Sequence, residues 1–178
     1  MKKNKIVYVP MGADIIHSGH LNILNHARKY GEIIIGLFTD SAIAEYKSLP
    51  LINYQQRYDI IKNIRGVKKV IAQDTWDYSK NLNKIKPDFV VHGDDWKLGI
   101  QKKTRENVIK ILKKWSGKLI EPRYTKNINV TEIRNKISNI LSIPDNRVSR
   151  LKRLIDSKDI VRILESHNSL TGLIIENL

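Results

Sequence analysis

The chain has 178 residues, 41% of them hydrophobic, with no cysteine and 32 basic against 18 acidic residues for a net charge of +14. This length and apolar content suit one domain with an appendage, and no apolar run approaches the roughly 20 residues needed to span a bilayer. The missing cysteines exclude disulfides and thiolate metal sites and fit a cytoplasmic location, and the basic balance points to anionic partners. The basic start, Met1 to Lys5, lacks a signal-peptide pattern. Apolar runs bounded by turn residues then alternate with helical periodicity, which predicts an α/β fold with a doubly wound parallel sheet. Ile6 to Val9 is the first predicted strand and Ser18 to Tyr30 its helix, closed by Gly31. Glu32 to Phe38 is the second strand. Thr39-Asp40-Ser41 caps a helix toward Tyr46, and Asn53 caps another from Tyr54 to Ile64 with Ile60, Ile61 and Ile64 on one face. Val67 to Ala72 is the third strand, followed by a loose stretch around Trp76. Pro87 to His92 is a fourth strand running into Gly93-Asp94-Asp95-Trp96. Thr104 to Trp115 is helical, with Val108, Ile111, Leu112 and Trp115 as the buried stripe and Gly117 closing it. Lys118 to Glu121 is the last strand and Thr131 to Leu141 a final helix. Residues 142–146 form a linker between a first domain, 1–141, and a basic helix followed by two apolar runs, 147–178.

His17-Ser18-Gly19-His20 lies in the first strand-to-helix turn. That turn is the usual ligand position of a doubly wound sheet. Backbone N–H groups and the positive end of the helix dipole point at a phosphate there, and the glycine lets it approach the backbone. His17 and His20 add two donors. Their i, i+3 spacing also suits metal ligation, but no cysteine completes a zinc site and Asp14 is the only carboxylate close by in sequence. Nucleic acid is not expected as the main partner, because no stacking-aromatic platform accompanies the charge.

With this first unit in place, the chain resembles the cytidylyltransferase branch of the nucleotidyltransferase superfamily over about residues 5–140. Ala13 to His20 corresponds to the H-x-G-H signature with its preceding aspartate, and Thr39-Asp40 to a Thr-Asp pair after the second strand. Tyr54-Gln55-Gln56-Arg57 resembles a Tyr-x-x-Arg helix start, and Gly93 to Trp96 a Gly-Asp-Asp-Trp segment of the glycerol-3-phosphate type. Thr125 to Arg134 occupies the place of the late T-x-G-I-S-[ST]-T-x-[IL]-[RK] motif. The resemblance implies transfer of CMP from CTP, carried with Mg²⁺, to a small phosphonate or phosphate acceptor. It implies His17, His20 and Lys47 as catalytic residues, with Lys47 and Lys80 holding the acceptor's anion. Gly12, Ala13, Asp14, Gly93, Asp94, Thr125, Asn129 and Thr131 would line the nucleotide, with Asp94 accepting a base amino group. Arg57 stands either as a phosphate ligand or as a brace of the fold. The resemblance also leaves room for a homodimer.

The chain departs from that pattern in two places. Met11-Gly12-Ala13-Asp14 stands where the family has Gly-x-Phe-Asp, so the glycine has moved. In the late motif Tyr124 replaces arginine, Asn127 glycine, and Asn129-Val130 a hydroxyl pair. An adenylyltransferase of the same superfamily and a nucleotide-sensing domain with a weakened site are therefore the alternatives. Residues 151–155 and 165–176 resemble the start of phosphoenolpyruvate mutase, and fused proteins of this kind occur in phosphonate biosynthesis. The appendage is accordingly expected to be the beginning of a mutase-like domain.

Overall fold

The computed structural model describes residues 4–45, 49–97, 101–123 and 144–157. Five parallel strands form one sheet: β1 (Ile6–Met11), β2 (Glu32–Phe38), β3 (Val67–Gln73), β4 (Phe89–Val91) and β5 (Lys118–Ile120). Their order is β3-β2-β1-β4-β5. The chain builds outward from β1 in one direction, then crosses back to pair β4 with β1 on the other side, Val7 beside Phe89. That reversal opens a crevice between the carboxyl ends of β1 and β4, where ligands bind in such sheets.

Helices cover both faces, which is why the strands read as nearly continuous apolar runs. Alternate residues serve alternate faces. Val7, Val9, Met11, Ile33, Ile35 and Leu37 pack with Leu24 and Ala27 of α1 (Ser18–Arg28) and Ile61 of α3 (Tyr54–Lys62). Tyr8, Phe38 and Val90 face the other way, toward α2 (Asp40–Ala44), α4 (Ser79–Ile85) and α5 (Lys102–Leu112). The expected N-caps are present. Thr39 Oγ1 accepts from Ala42 N, and Asn53 with Gln56 forms a reciprocal capping box.

Several expectations need correction. Helix α4 was not predicted. Its sequence offers only Leu82 and Ile85 at helical spacing, between two asparagines of weak propensity, so packing decides it. Leu82 is fully buried, and the Asn81 Nδ2 amide donates to Ala72 O at 2.8 Å and Gln73 Oε1 at 2.9 Å. Ile60 is exposed, while Ile61, about 100° further round α3, takes the core position. The left-handed residue that ends the α5 region is Ser116 (φ 60°) and not Gly117. Finally, Pro144, Asp145 and Asn146, assigned to the linker, are the first turn of a further helix, α6 (Pro144–Ser157). Proline's fixed φ suits the first helical position, so it starts this helix where the sequence suggested a break. The predicted helix 131–141, the motif from 125 to 134 and residues 158–178 lie outside the described residues.

A polar knot under the sheet yields a stability test. Tyr8 Oη donates to Gln73 Oε1 at 2.5 Å, and burial pushes the phenol pKa far up, so the hydroxyl stays protonated. The ring lies against Gly36, where an added Cβ would sit 1.8 Å from Tyr8 Oη. Gly36→Ala should therefore destabilise the protein by about 1–3 kcal/mol, the usual cost of overpacking. Chemical denaturation checks this, and an unchanged midpoint would show that Tyr8 has room to move.

Candidate active site

A cavity of about 330 Å³ occupies the crevice at the carboxyl ends of β1 and β4. That volume falls at the small end of ligand pockets. Its floor is the turn after β1. Gly12 leaves one wall open, since a methyl added there would meet only Ile43 Cδ1, at 3.8 Å. Ala13 holds φ 53°, a left-handed conformation that costs a non-glycine residue about 1–2 kcal/mol. The left-handed position thus carries alanine, and the glycine precedes it.

His17 is the N-cap of α1, and its Nδ1 accepts from Gly19 N at 3.1 Å. An imidazole accepting at Nδ1 carries its proton on Nε2, so His17 presents an N–H donor while neutral. Burial lowers its pKa. His20 lies one turn on, with ring centroids 4.0 Å apart and planes tilted by 42°. Burial first, and the His17 charge second, bring its pKa down to about 4. His20 Nδ1 is buried and meets no partner, a cost that native structures keep where a ligand or a proton transfer supplies one. Both histidines line the cavity together with Gly19 at the first turn of α1, where backbone N–H groups and the helix dipole favour an anion. The pair is therefore a set of neutral, preorganised donors in a positively biased corner.

The opposite wall comes from β4. The His92 ring stacks on Trp96 at 3.9 Å between centroids and 9° between planes, and its Nδ1 lies 2.9 Å from Gly93 O. Trp96 is itself core, its Nε1 donating to Glu121 Oε1 at 2.7 Å. Arg105 holds the same carboxylate through both oxygens, and this fork lowers the Glu121 pKa. The tryptophan of the Gly-Asp-Asp-Trp segment is thus a brace for His92. Asp95, and not Asp94, reaches the cavity wall. In the short 3₁₀ turn Asp94–Lys97, Asp94 N bonds Pro122 O, so the turn's orientation selects the second aspartate. Phe38, Ile43 and Trp76 form an apolar side, with the two aromatic rings 4.6 Å apart.

Other predicted residues take supporting places. Asp14 lines the cavity, and its Oδ1 accepts from Leu51 N at 2.6 Å, tying the loop before α3 to the β1–α1 turn. Arg57 is fully buried and is a brace: one arm donates to Gly12 O and the other to Asp40 Oδ1, each at 2.6 Å. Lys80 is exposed, pairs with Asp74 at 3.2 Å, and borders a separate hollow near β3 and α4. It does not line the main cavity. Lys47, Thr125, Asn129 and Thr131 lie outside the described residues. The sequence reading missed His92, Asp95, Phe38, Trp76 and Gln101 as cavity residues. For Phe38 and His92 a signal existed, because each stands at the carboxyl end of a parallel strand. Trp76 and Gln101 sit in loops where periodicity says nothing.

Residues 13–138 match the cytidylyltransferase-like family. The chain belongs to that family. An ethanolamine-phosphate cytidylyltransferase of Dictyostelium discoideum is 34% identical over 134 residues, 74% of this chain and 36% of that protein. An FAD synthase of Methanohalophilus mahii is 35% identical over 82 residues, 46% of this chain and 58% of that one. This cytidylyltransferase-like chain thus spans about a third of the ethanolamine-phosphate relative. The structure of a lipopolysaccharide core biosynthesis protein from Thermoplasma volcanium GSS1 matches with a TM-score of 0.58 at 22% identity, covering 70% of this chain and 98% of that one. That likeness shows a shared fold. No helix among the described residues is long and apolar enough to cross a membrane. No group of three or more His, Cys, Asp or Glu among them is placed to hold a metal ion.

Proposed function

We propose that this domain transfers CMP from Mg²⁺–CTP to a small phosphonate or phosphate ester and releases pyrophosphate. The supporting observation is the neutral His17–His20 pair at the start of α1, set at the point where strand order reverses. An acceptor oxygen attacks the α-phosphorus, forming a new P–O bond, while the bond to the β-phosphate bridging oxygen breaks and pyrophosphate leaves. Such a displacement needs alignment and charge stabilisation more than a protein nucleophile. The His17 Nε2–H and the His20 ring donate to phosphate oxygens as charge grows on them, and the first turn of α1 adds its N–H groups. Mg²⁺ would arrive with the triphosphate of the substrate and help neutralise the charge that develops there. In this mechanism Lys47 steadies the acceptor's anion.

The ethanolamine-phosphate relative and the Phe38–Trp76 wall both favour an acceptor with an ammonium group, since aromatic faces attract cations. The resemblance of residues 151–155 and 165–176 to the start of phosphoenolpyruvate mutase favours a phosphonate, with aminoethylphosphonate as the first candidate. The FAD synthase relatives favour a second possibility, adenylyl transfer from ATP, because FAD contains an AMP unit. Pyrophosphate release separates them. With Mg²⁺ and CTP, turnover should be fastest with aminoethylphosphonate or phosphoethanolamine and slower with glycerol-3-phosphate. Faster turnover with ATP across the same acceptors would replace cytidylyl by adenylyl transfer. CTP binding without pyrophosphate release from any acceptor would instead make the domain a nucleotide sensor.

A further inference from the structure

The side chain of Arg153 reaches from α6 into the main domain. One of its nitrogens donates to Asp40 Oδ2 at 3.3 Å and Pro50 O at 3.1 Å, and another to Leu51 O at 3.3 Å. Neither end of this contact is idle. The other oxygen of Asp40 accepts from Arg57, whose second arm holds Gly12 O in the cavity floor. Leu51, whose carbonyl Arg153 holds, donates its own N–H to Asp14 Oδ1, and Asp14 lines the cavity. Two short chains of hydrogen bonds therefore run from α6 to the nucleotide turn, one through Asp40 and Arg57, the other through Leu51 and Asp14. The charges fit this arrangement. One carboxylate, 18% exposed, is shared by two guanidiniums that are 0% and 27% exposed. The planar fork of arginine can serve three separate acceptors, which a lysine ammonium on a flexible stem does with less preorganisation.

We propose that Arg153 is a positioning residue for the nucleotide cavity, so that α6 completes the transferase site from the segment after the predicted linker. Without Arg153, the Asp40 carboxylate loses the partner of its second oxygen and the Pro50–Leu51 carbonyls lose their clamp. The Gly12–Asp14 turn is then held by fewer constraints. This proposal rests on nucleotide binding at the cavity, as described under the proposed function.

The test uses the full 178-residue chain and measures CTP and ATP dissociation constants by calorimetry, steady-state constants by pyrophosphate release, and melting temperature. Arg153→Gln should weaken binding of whichever nucleotide the wild type takes by about tenfold, within the range seen for residues that act through a shared network. Arg153→Lys should recover part of that loss. The exposed neighbour variant Lys152→Gln should bind as the wild type does. In an Asp40→Asn background, Arg153→Gln should cost much less than it does alone, because the shared carboxylate is already gone. A lower melting temperature with nucleotide affinity and kcat/KM within twofold of wild type would reduce Arg153 to a docking contact and overturn the proposal. Additive losses with Asp40→Asn would overturn the route through Asp40 and Arg57. A wild type that binds neither nucleotide would overturn the proposed function itself, and this inference with it.

Discussion

His20→Ala should lower kcat by roughly 10²–10³, the scale for removing one preorganised donor to developing negative charge. The CTP dissociation constant should move far less, because the contribution of a donor aimed at the transition state appears mainly in turnover. The geometry supports this division. His20 lines the cavity beside His17, with its Nδ1 buried and unpartnered. Calorimetry with CTP and pyrophosphate release measure the two quantities separately. Full turnover by His20→Ala in an active preparation would remove His20 from the chemistry.

The same residue gives the protein a pH signature. Burial, assisted by the neighbouring His17, holds the His20 pKa down to about 4. In the unfolded chain that imidazole takes up its proton near pH 6.5. The unfolded state therefore binds more protons between these values, and stability falls as pH drops from 6.5 toward 4. Above pH 6.5 the contribution is complete. His20→Gln removes this proton site, so between pH 6.5 and 5 its melting temperature should decline less steeply than that of the wild type. Parallel declines would show that the fold does not hold His20 neutral.

Arg57→Met should destabilise the protein by about 3 kcal/mol. Breaking a buried ion pair on one side costs about 3–5 kcal/mol, and the lower end applies because Asp40 keeps Arg153 at 3.3 Å. For a chain of this size the melting temperature should fall by roughly 6–12 °C. The loss arises without any ligand, since Arg57 is fully buried and both its arms are engaged by Gly12 O and Asp40. Differential scanning calorimetry of the free protein decides the matter. A variant as stable as wild type that has lost CTP affinity would make Arg57 a phosphate ligand and not a brace.

The strands, most helices and the turn after β1 were legible in the sequence because their causes are local. Glu32 to Phe38 is a β-branched apolar run and forms β2 over the same residues. Asn53 with Gln56 spells a capping box, and α3 starts there. His17-Ser18-Gly19-His20 follows a strand and opens a helix, and that order alone put it at the carboxyl edge of a parallel sheet. Side-chain partnerships across the fold left no such trace. The resemblance pointed to Asp94 as the nucleotide residue, and only the 3₁₀ turn after β4 put its neighbour Asp95 on the cavity wall instead. Arg57 stood as ligand or brace until the turn after β1 brought Gly12 O to one arm and α2 brought Asp40 to the other. Helix α4 has too few apolar residues to declare itself and forms because Leu82 and Asn81 find partners on the sheet. Pro144 read as a break and begins a helix whose Arg153 lies more than a hundred residues from Asp40 in sequence and 3.3 Å from it in space. Periodicity and capping are set by neighbours along the chain, so the sequence determined most of the elements and the place of the turn after β1. Which charge faces the cavity and which holds the walls depends on contacts between distant elements, and only the packed sheet and its helices decided that.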